Sequence, residues 1–177
     1  MKYYAVIDTN VLVSSMLTSD LTSTVARIID AIRQDLMVPM FNESILNEYI
    51  AVLLRDRFGF NKDKVEELIS LIKSKGVNCE RISIEESFAD PDDVVFYEVA
   101  MSREDSYLVT GNLKHFPKNG RVVSPADMLY IIEYSERGSS LLCEPEGPDY
   151  LPISLEEINS IIREVRNSLR GYQKDNQ

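Results

Sequence analysis

The feature that most constrains this chain is an unbroken apolar run, Tyr3 to Ile7, with Asp8 directly behind it. A half-buried strand alternates apolar and polar residues. A run without alternation is the pattern of a strand buried on both faces, as in a parallel sheet covered by helices. In open α/β sheets ligands bind beyond the carboxyl ends of the strands, so Asp8 stands at a functional address as well as at a structural boundary.

The rest of the chain alternates in the same sense. Val11 to Leu17 opens a short helical stretch, and Leu21, Val25, Ile28, Ile29 and Ile32 fall at helical spacing within residues 21–35. Leu36 to Met40 reads as a second strand, closed by Pro39 and Asn42. Helices are expected over about Ser44–Arg57 and over Lys62–Lys75, the second ended by Gly76 as a C-cap. Val77 to Ile84 reads as extended, and Asp90-Pro91 starts a helix to about Ser102. Tyr107–Thr110 and Val122-Val123 read as strands. Ser124, Pro125 and Asp127 fit the N-cap, N1 and N3 positions of a helix reaching about Glu136. Strands alternating with helices give an α/β class with a mainly parallel sheet.

Composition shifts at Gly138: residues 138–153 carry three of the chain's seven prolines. Ser154-Leu155-Glu156-Glu157 then has the form of a capping box, and Ile158, Ile161, Ile162, Val165 and Leu169 share one stripe behind it. The organisation expected is a domain over residues 1–137 and an extension over 138–177 with a helix at about 154–170 that docks on something, followed by a polar tail from Gln173.

At 177 residues and 44% hydrophobic the chain can bury a full core, which excludes a disordered or disulfide-stapled class. It holds no apolar run near the roughly 20 residues needed to span a bilayer, so no membrane association is expected. Lys2 and the interrupting Asp8 do not make a signal peptide, and Cys79 and Cys143 match no metal spacing. A cytoplasmic location is the expectation. Nineteen Lys plus Arg against 29 Asp plus Glu leave a net charge of −10, which speaks against a broad basic nucleic-acid face. The acids are therefore either solvated or clustered.

Four places bear on that choice. Asp8 could cap the next helix, although Thr9 or Asn10 could do so without it. Glu48 lies beside the stripe of Ile45, Tyr49 and Val52, where a carboxylate either keeps its head in water or turns inward at a cost. In Asp90-Pro91-Asp92-Asp93 one cap and one first-turn acid would suffice for a helix start, and Asp93, just before Val94-Val95-Phe96, is the acid best placed to face inward. Val109-Thr110-Gly111-Asn112 ends a strand in short oxygen-bearing side chains, which also suits a plain turn with Asn112 as a cap.

In their order, Asp8-Thr9-Asn10-Val11-Leu12 after the first strand, a helical Glu48, Asp93 at a helix start and Val109-Thr110-Gly111-Asn112 after a later strand resemble the PIN-domain family. Within it they are most similar to the prokaryotic toxin-component branch, relatives of the VapC-like ribonucleases. The resemblance covers about residues 1–135. It implies a three-layer α/β/α sandwich with a parallel central sheet, to which the C-terminal helix is appended. It also implies acids converging at the strand ends on Mg²⁺ or Mn²⁺. Asp8, Glu48 and Asp93 match the catalytic and metal-binding acids. Asn112 stands where many members carry a fourth Asp, which leaves a second ion weakly held. Thr9, Asn10, Thr110 and Lys114 are the candidate substrate contacts.

Oxygen ligands suit a hard cation, and such an ion acidifies water and offsets phosphate charge. The expectation is a metal-dependent endoribonuclease, the toxin of a toxin–antitoxin pair, with RNA as substrate, an antitoxin protein as partner and a homodimer as the assembly. The alternative is a degenerate PIN domain acting as a non-catalytic RNA- or protein-binding module. A phosphohydrolase using Asp8 as nucleophile would carry a second Asp two residues on, where this chain has Asn10. The lone histidine, His115, reads as a turn residue rather than a catalyst. Lys114, Lys118, Arg121, Arg55 and Arg57 are candidates for a basic rim, or are simply solvated.

Overall fold

A computed structural model describes residues 2–86, 88, 90–137 and 153–174. Five strands, β1 (Tyr3–Ile7), β2 (Met37–Phe41), β3 (Val77–Asn78), β4 (Ser106–Val109) and β5 (Val122–Val123), form one sheet in the order β3-β2-β1-β4-β5, every pairing parallel. Among the described residues seven α-helices lie on it in an α/β/α sandwich: α1 (Thr9–Leu17), α2 (Thr24–Arg33), α3 (Glu43–Leu53), α4 (Lys62–Lys75), α5 (Val94–Met101), α6 (Pro125–Arg137) and α7 (Leu155–Lys174). None of the described helices is long and apolar enough to cross a membrane.

The unbroken apolar run is the central strand, in register with β2 at Tyr4↔Val38 and with β4 at Ala5↔Tyr107. Ala5, Val6 and Ile7 are buried because both faces carry helices. From β1 the chain moves outward through β2 to β3, then returns to β4 on the other side of β1. The order therefore reverses between β1 and β4, and such a switch point opens a crevice at the carboxyl ends of those two strands. Asp8 and Thr110 are the first residues beyond them.

Several boundaries move from the sequence expectation, each for a local reason. Leu21 stands exposed outside the second helix, which begins only after Ser23 accepts a bond from the Ala26 N–H. The second strand runs through Pro39 instead of closing there. β3 pairs with β2 only at Met40 and Phe41, so the outer ladder starts after the residue that lacks an N–H. The third helix ends at Leu53, and the helix expected from Asp90 begins at Val94, with Asp90–Asp93 forming a turn before it. Ser124 and Asp127 make the reciprocal bonds of a capping box: Ser124 Oγ accepts from the Asp127 N–H at 3.1 Å, and Asp127 Oδ2 accepts from the Ser124 N–H at 3.2 Å. α7 starts as expected, with Ser154 Oγ accepting from the Glu157 N–H at 3.2 Å, and runs on through Gln173 to Lys174. Its stripe of Ile158, Ile161, Ile162 and Val165 is buried as the helix packs on α1 and α3. The proline-bearing stretch before it, 138–152, and Cys143 lie outside the described residues.

Gly76 is needed for space, not for a left-handed cap. A Cβ there would stand 2.5 Å from the carbonyl oxygens of both Ile72 and Pro39 and 2.8 Å from the Phe41 ring. Backbone oxygens cannot turn aside as a side chain can, so Gly76→Ala should push α4 off β2 at a cost of about 1–3 kcal/mol. Urea unfolding of the two proteins measures it, and an unchanged midpoint would refute the crowding.

Candidate functional site

The turn after β1 carries the first acid. Asp8 is the N-cap of α1, but its Oδ1 accepts from the Asn10 N–H at a long 3.4 Å. Its stronger bonds are made elsewhere: Oδ2 accepts from Asn10 Nδ2 at 2.7 Å and from Thr110 Oγ1 at 2.6 Å. Capping and inward placement are thus both realised, and the second dominates. Asn10 in turn accepts the Gly111 N–H at 3.0 Å on its Oδ1, so the ends of β1 and β4 are laced together by side chains that hold one carboxylate.

Glu48 turns inward. It is 6% exposed, between Ile45 and Tyr49 on α3. Thr9 donates its hydroxyl to Glu48 Oε1 at 2.6 Å, and the buried Tyr49 hydroxyl donates to the Ile7 carbonyl, fixing α3 against the end of β1. Asp93, 3% exposed, arrives from the turn before α5, and His115 Nδ1 lies 3.2 Å from its Oδ2. Three acids from three elements therefore meet at the switch point, with Thr9, Asn10 and Thr110 buried as well and committed to orienting them.

The group that draws the acids together comes from α7. Arg166, 6% exposed, donates from Nε to Glu48 Oε2 at 2.9 Å and from Nη2 to Glu48 Oε1 at 3.0 Å, a two-pronged pairing. Its Nη1 reaches Asp93 Oδ1 at 2.8 Å and Asp90 Oδ2 at 3.3 Å. One helical turn on, Arg170 Nε donates to Asp92 Oδ1 at 2.9 Å. Sequence reasoning missed Arg166. A signal was there: four residues after Ile162 and next to Val165, it puts a guanidinium on the edge of an apolar stripe.

The remaining candidates are less central. Asn112 gives its backbone N–H to Thr110 Oγ1 at 2.9 Å, and its side chain bonds none of the three acids. Lys114 and Lys118 are exposed on the segment that carries His115. Arg57 pairs with Glu157 at 2.6 Å, Arg55 reaches Ser168 at 3.5 Å, and Arg121 turns to the Arg103 and Glu104 carbonyls. Arg55 and Arg57 thus serve the seat of α7.

Burial sets the electrostatics. Desolvation raises the Glu48 carboxyl above its ordinary range, with Asp8 adding to it and Arg166 and Thr9 opposing. Burial, then the charge of Asp8, lifts Asp93 to about 6 against the pull of Arg166. Arg166 itself is held still more firmly protonated: burial would lower it, but Glu48, Asp93 and Asp8 outweigh that.

In kind, three carboxylates suit a hard divalent cation. In placement Glu48 and Asp93 share one planar guanidinium while Asp8 is held by Asn10 and Thr110, and among the described residues no group of three His, Cys, Asp or Glu side chains is spaced to hold an ion as they stand. A family model of the PIN domain matches residues 4–114, the stretch that supplies Asp8, Glu48, Asp93 and Asn112. No curated protein and no solved structure matches the chain.

A raised acid has a definite consequence for stability. The folded state holds the Asp93 proton up to about pH 6, whereas the unfolded chain releases it near 3.8. Its contribution is therefore complete below the unfolded value and is lost as pH rises through the folded one, on the order of 3 kcal/mol across that window. In chelator, Asp93→Asn should flatten the fall in stability across this window, read from chemical unfolding at stepped pH. An unaltered slope would remove Asp93 as its source.

Proposed function

Because the chain belongs to the PIN domain family, whose members are generally nucleases, we propose that it is a divalent-metal-dependent endoribonuclease that hydrolyses RNA phosphodiester bonds. The observation that carries this reading is the meeting of the Asp8, Glu48 and Asp93 carboxylates at the carboxyl ends of β1 and β4, where an α/β sheet binds its ligands.

Asp8, Glu48 and Asp93 would hold a Mg²⁺ or Mn²⁺ ion, with Asn112 a further oxygen donor at the rim. When bound, the ion acidifies an attacking water and offsets phosphate charge. The chain's own residues supply the order. Asn10 and Thr110 fix the rotamer of Asp8, Thr9 fixes that of Glu48, and His115 stands against Asp93. Fixed rotamers mean that little side-chain freedom is lost when the acids take up their work. Lys114 and Lys118, exposed on the segment that carries His115, would meet the RNA backbone. We place the protein as the toxin of a toxin–antitoxin pair, with an antitoxin partner and a homodimeric assembly.

One observation favours the alternative of a non-catalytic RNA- or protein-binding module: a guanidinium sits among the acids. Asp8→Asn separates the two readings. An Asn oxygen in the place of Oδ2 can still accept from Asn10 and Thr110, and one like charge leaves the cluster, so the fold should hold with equal or higher thermal stability. Loss of an outer partner of a metal ligand typically costs ~10–100-fold, so loss of a ligand should cut Mn²⁺-dependent cleavage of single-stranded RNA by about 100-fold or more. No metal-dependent cleavage by the parent in the same assay would favour the binding module.

A further inference from the structure

We infer that α7 is an intramolecular inhibitor: Arg166 stands in for the divalent cation of the acid cluster, and the ion and the seated helix exclude each other. The inference rests on the proposed metal centre.

Three observations carry it. First, both Glu48 oxygens are taken by the Arg166 fork, at 2.9 and 3.0 Å, and Asp93 Oδ1 by its Nη1 at 2.8 Å. An ion drawing on Glu48 and Asp93 would compete with the guanidinium for them. Second, four of the five guanidinium N–H groups already bond carboxylates, two from Nη1 and one each from Nε and Nη2. The guanidinium fills the cationic role without being an arm that reaches for substrate. Third, the helix roofs the site. Beside Asp8 and Asp93 a space of about 10 Å³ remains, lined on the α7 side by Asn159, Ile162, Arg163 and Arg166, room for no more than about one water. That space is too small for a phosphodiester while α7 is seated, and the roomier cleft of about 290 Å³ lies outside it, along Asp90, Asp92, His115 and Arg170.

The seat is built to hold and to release. The apolar stripe holds α7 to α1 and α3 on one side, while on the other its grip is ionic, with Arg166 on the cluster and Arg170 on Asp92. An ionic grip is open to competition from another cation, whereas an apolar one is not. Competition lowers the apparent affinity for the ion by the fraction of molecules whose site is open. By linkage, a bound ion loosens the helix by the same factor.

Calorimetric titration of the full chain with Mn²⁺ tests this, in the parent, in Arg166→Ala and in a double variant, Ile158→Asp with Ile162→Asp, that unseats the helix but keeps the guanidinium. Arg166→Ala should bind Mn²⁺ at least about tenfold tighter than the parent. Its Tm should be low in chelator, where buried carboxylates lose their partner, and recover in Mn²⁺. The double variant should also bind more tightly, and it carries the test if Arg166→Ala does not fold. In the parent, Mn²⁺ should quicken hydrogen exchange along residues 155–170. Equal affinity in all three proteins, weaker binding by Arg166→Ala, or unchanged α7 exchange in the Mn²⁺-bound parent would overturn the inhibitor while leaving the metal centre standing. Absence of Mn²⁺ binding in all three would overturn the metal centre, and this inference with it.

Discussion

Everything at the top of this sheet follows from one electrostatic problem, three carboxylates buried within reach of one another. Burying an ion costs several kcal/mol even after relaxation, and like charges add to the cost. The chain meets it in three ways. Asp8 is supplied with neutral donors, Asn10 and Thr110, which stabilise its charge without adding one of their own. Glu48 receives a hydroxyl and a two-pronged guanidinium. Asp93 shares that guanidinium and is pushed far enough to hold its proton to about pH 6. One cation serves two of the three acids, so the seat of α7 and the charge state of the cluster cannot change independently.

The fold makes that cluster by topology. A carboxylate inside a strand would clash with the apolar layers on both faces, and one in an ordinary loop would be solvated. The reversal of strand order between β1 and β4 leaves a gap that is partly shielded and still roomy enough for polar atoms. β1 and β4 deliver Asp8 and Thr110 to its floor, α3 brings Glu48 along one wall, and the turn before α5 brings Asp93 along another. The lacing of Asn10 to Gly111 has a steric condition: a Cβ on Gly111 would lie 3.2 Å from Asn10 Oδ1 and 3.3 Å from Leu155, so the first turn of α7 rests where a larger residue would crowd it.

How much of this was legible depended on whether the cause was local. The buried strand, the acid after it, the capping box at Ser124 and the start of α7 at Ser154 are written in a few consecutive residues, and they stand where pattern reading puts them. Pattern reading failed where the cause lay elsewhere in the chain. Pro39 looked like a stop because the sequence does not reveal that the neighbouring strand begins one residue later. Glu48 could be read as solvated because its partner, Arg166, lies more than a hundred residues away. Leu21 has helical spacing, but Ser23 takes the cap and leaves it outside. Asp90 looked like a cap, yet its Oδ1 closes a turn onto the Asp92 N–H at 3.0 Å and its Oδ2 faces Arg166. The four-element site is a product of tertiary structure, and only the order of its pieces along the chain betrays it.

The negative charge of the chain then has a specific meaning. With 29 acids against 19 bases, any approach of a polyanion is opposed, and the field is strongest where carboxylates are buried and poorly screened. A phosphate brought to Asp8, Glu48 and Asp93 without a cation between them would meet only repulsion. The site therefore needs a positive charge: Arg166 supplies it in this structure, and on the proposed function a phosphate-bound state would need another. The described arginines nearest to it are already engaged: Arg163 and Arg170 face Asp90 and Asp92, and Arg57 is paired with Glu157. A small divalent ion carries twice the charge of the guanidinium in a fraction of its volume and leaves open coordination positions. On the proposed function such an ion would neutralise the acids and still attract a phosphate, whereas four of the five guanidinium N–H groups are already spent on carboxylates.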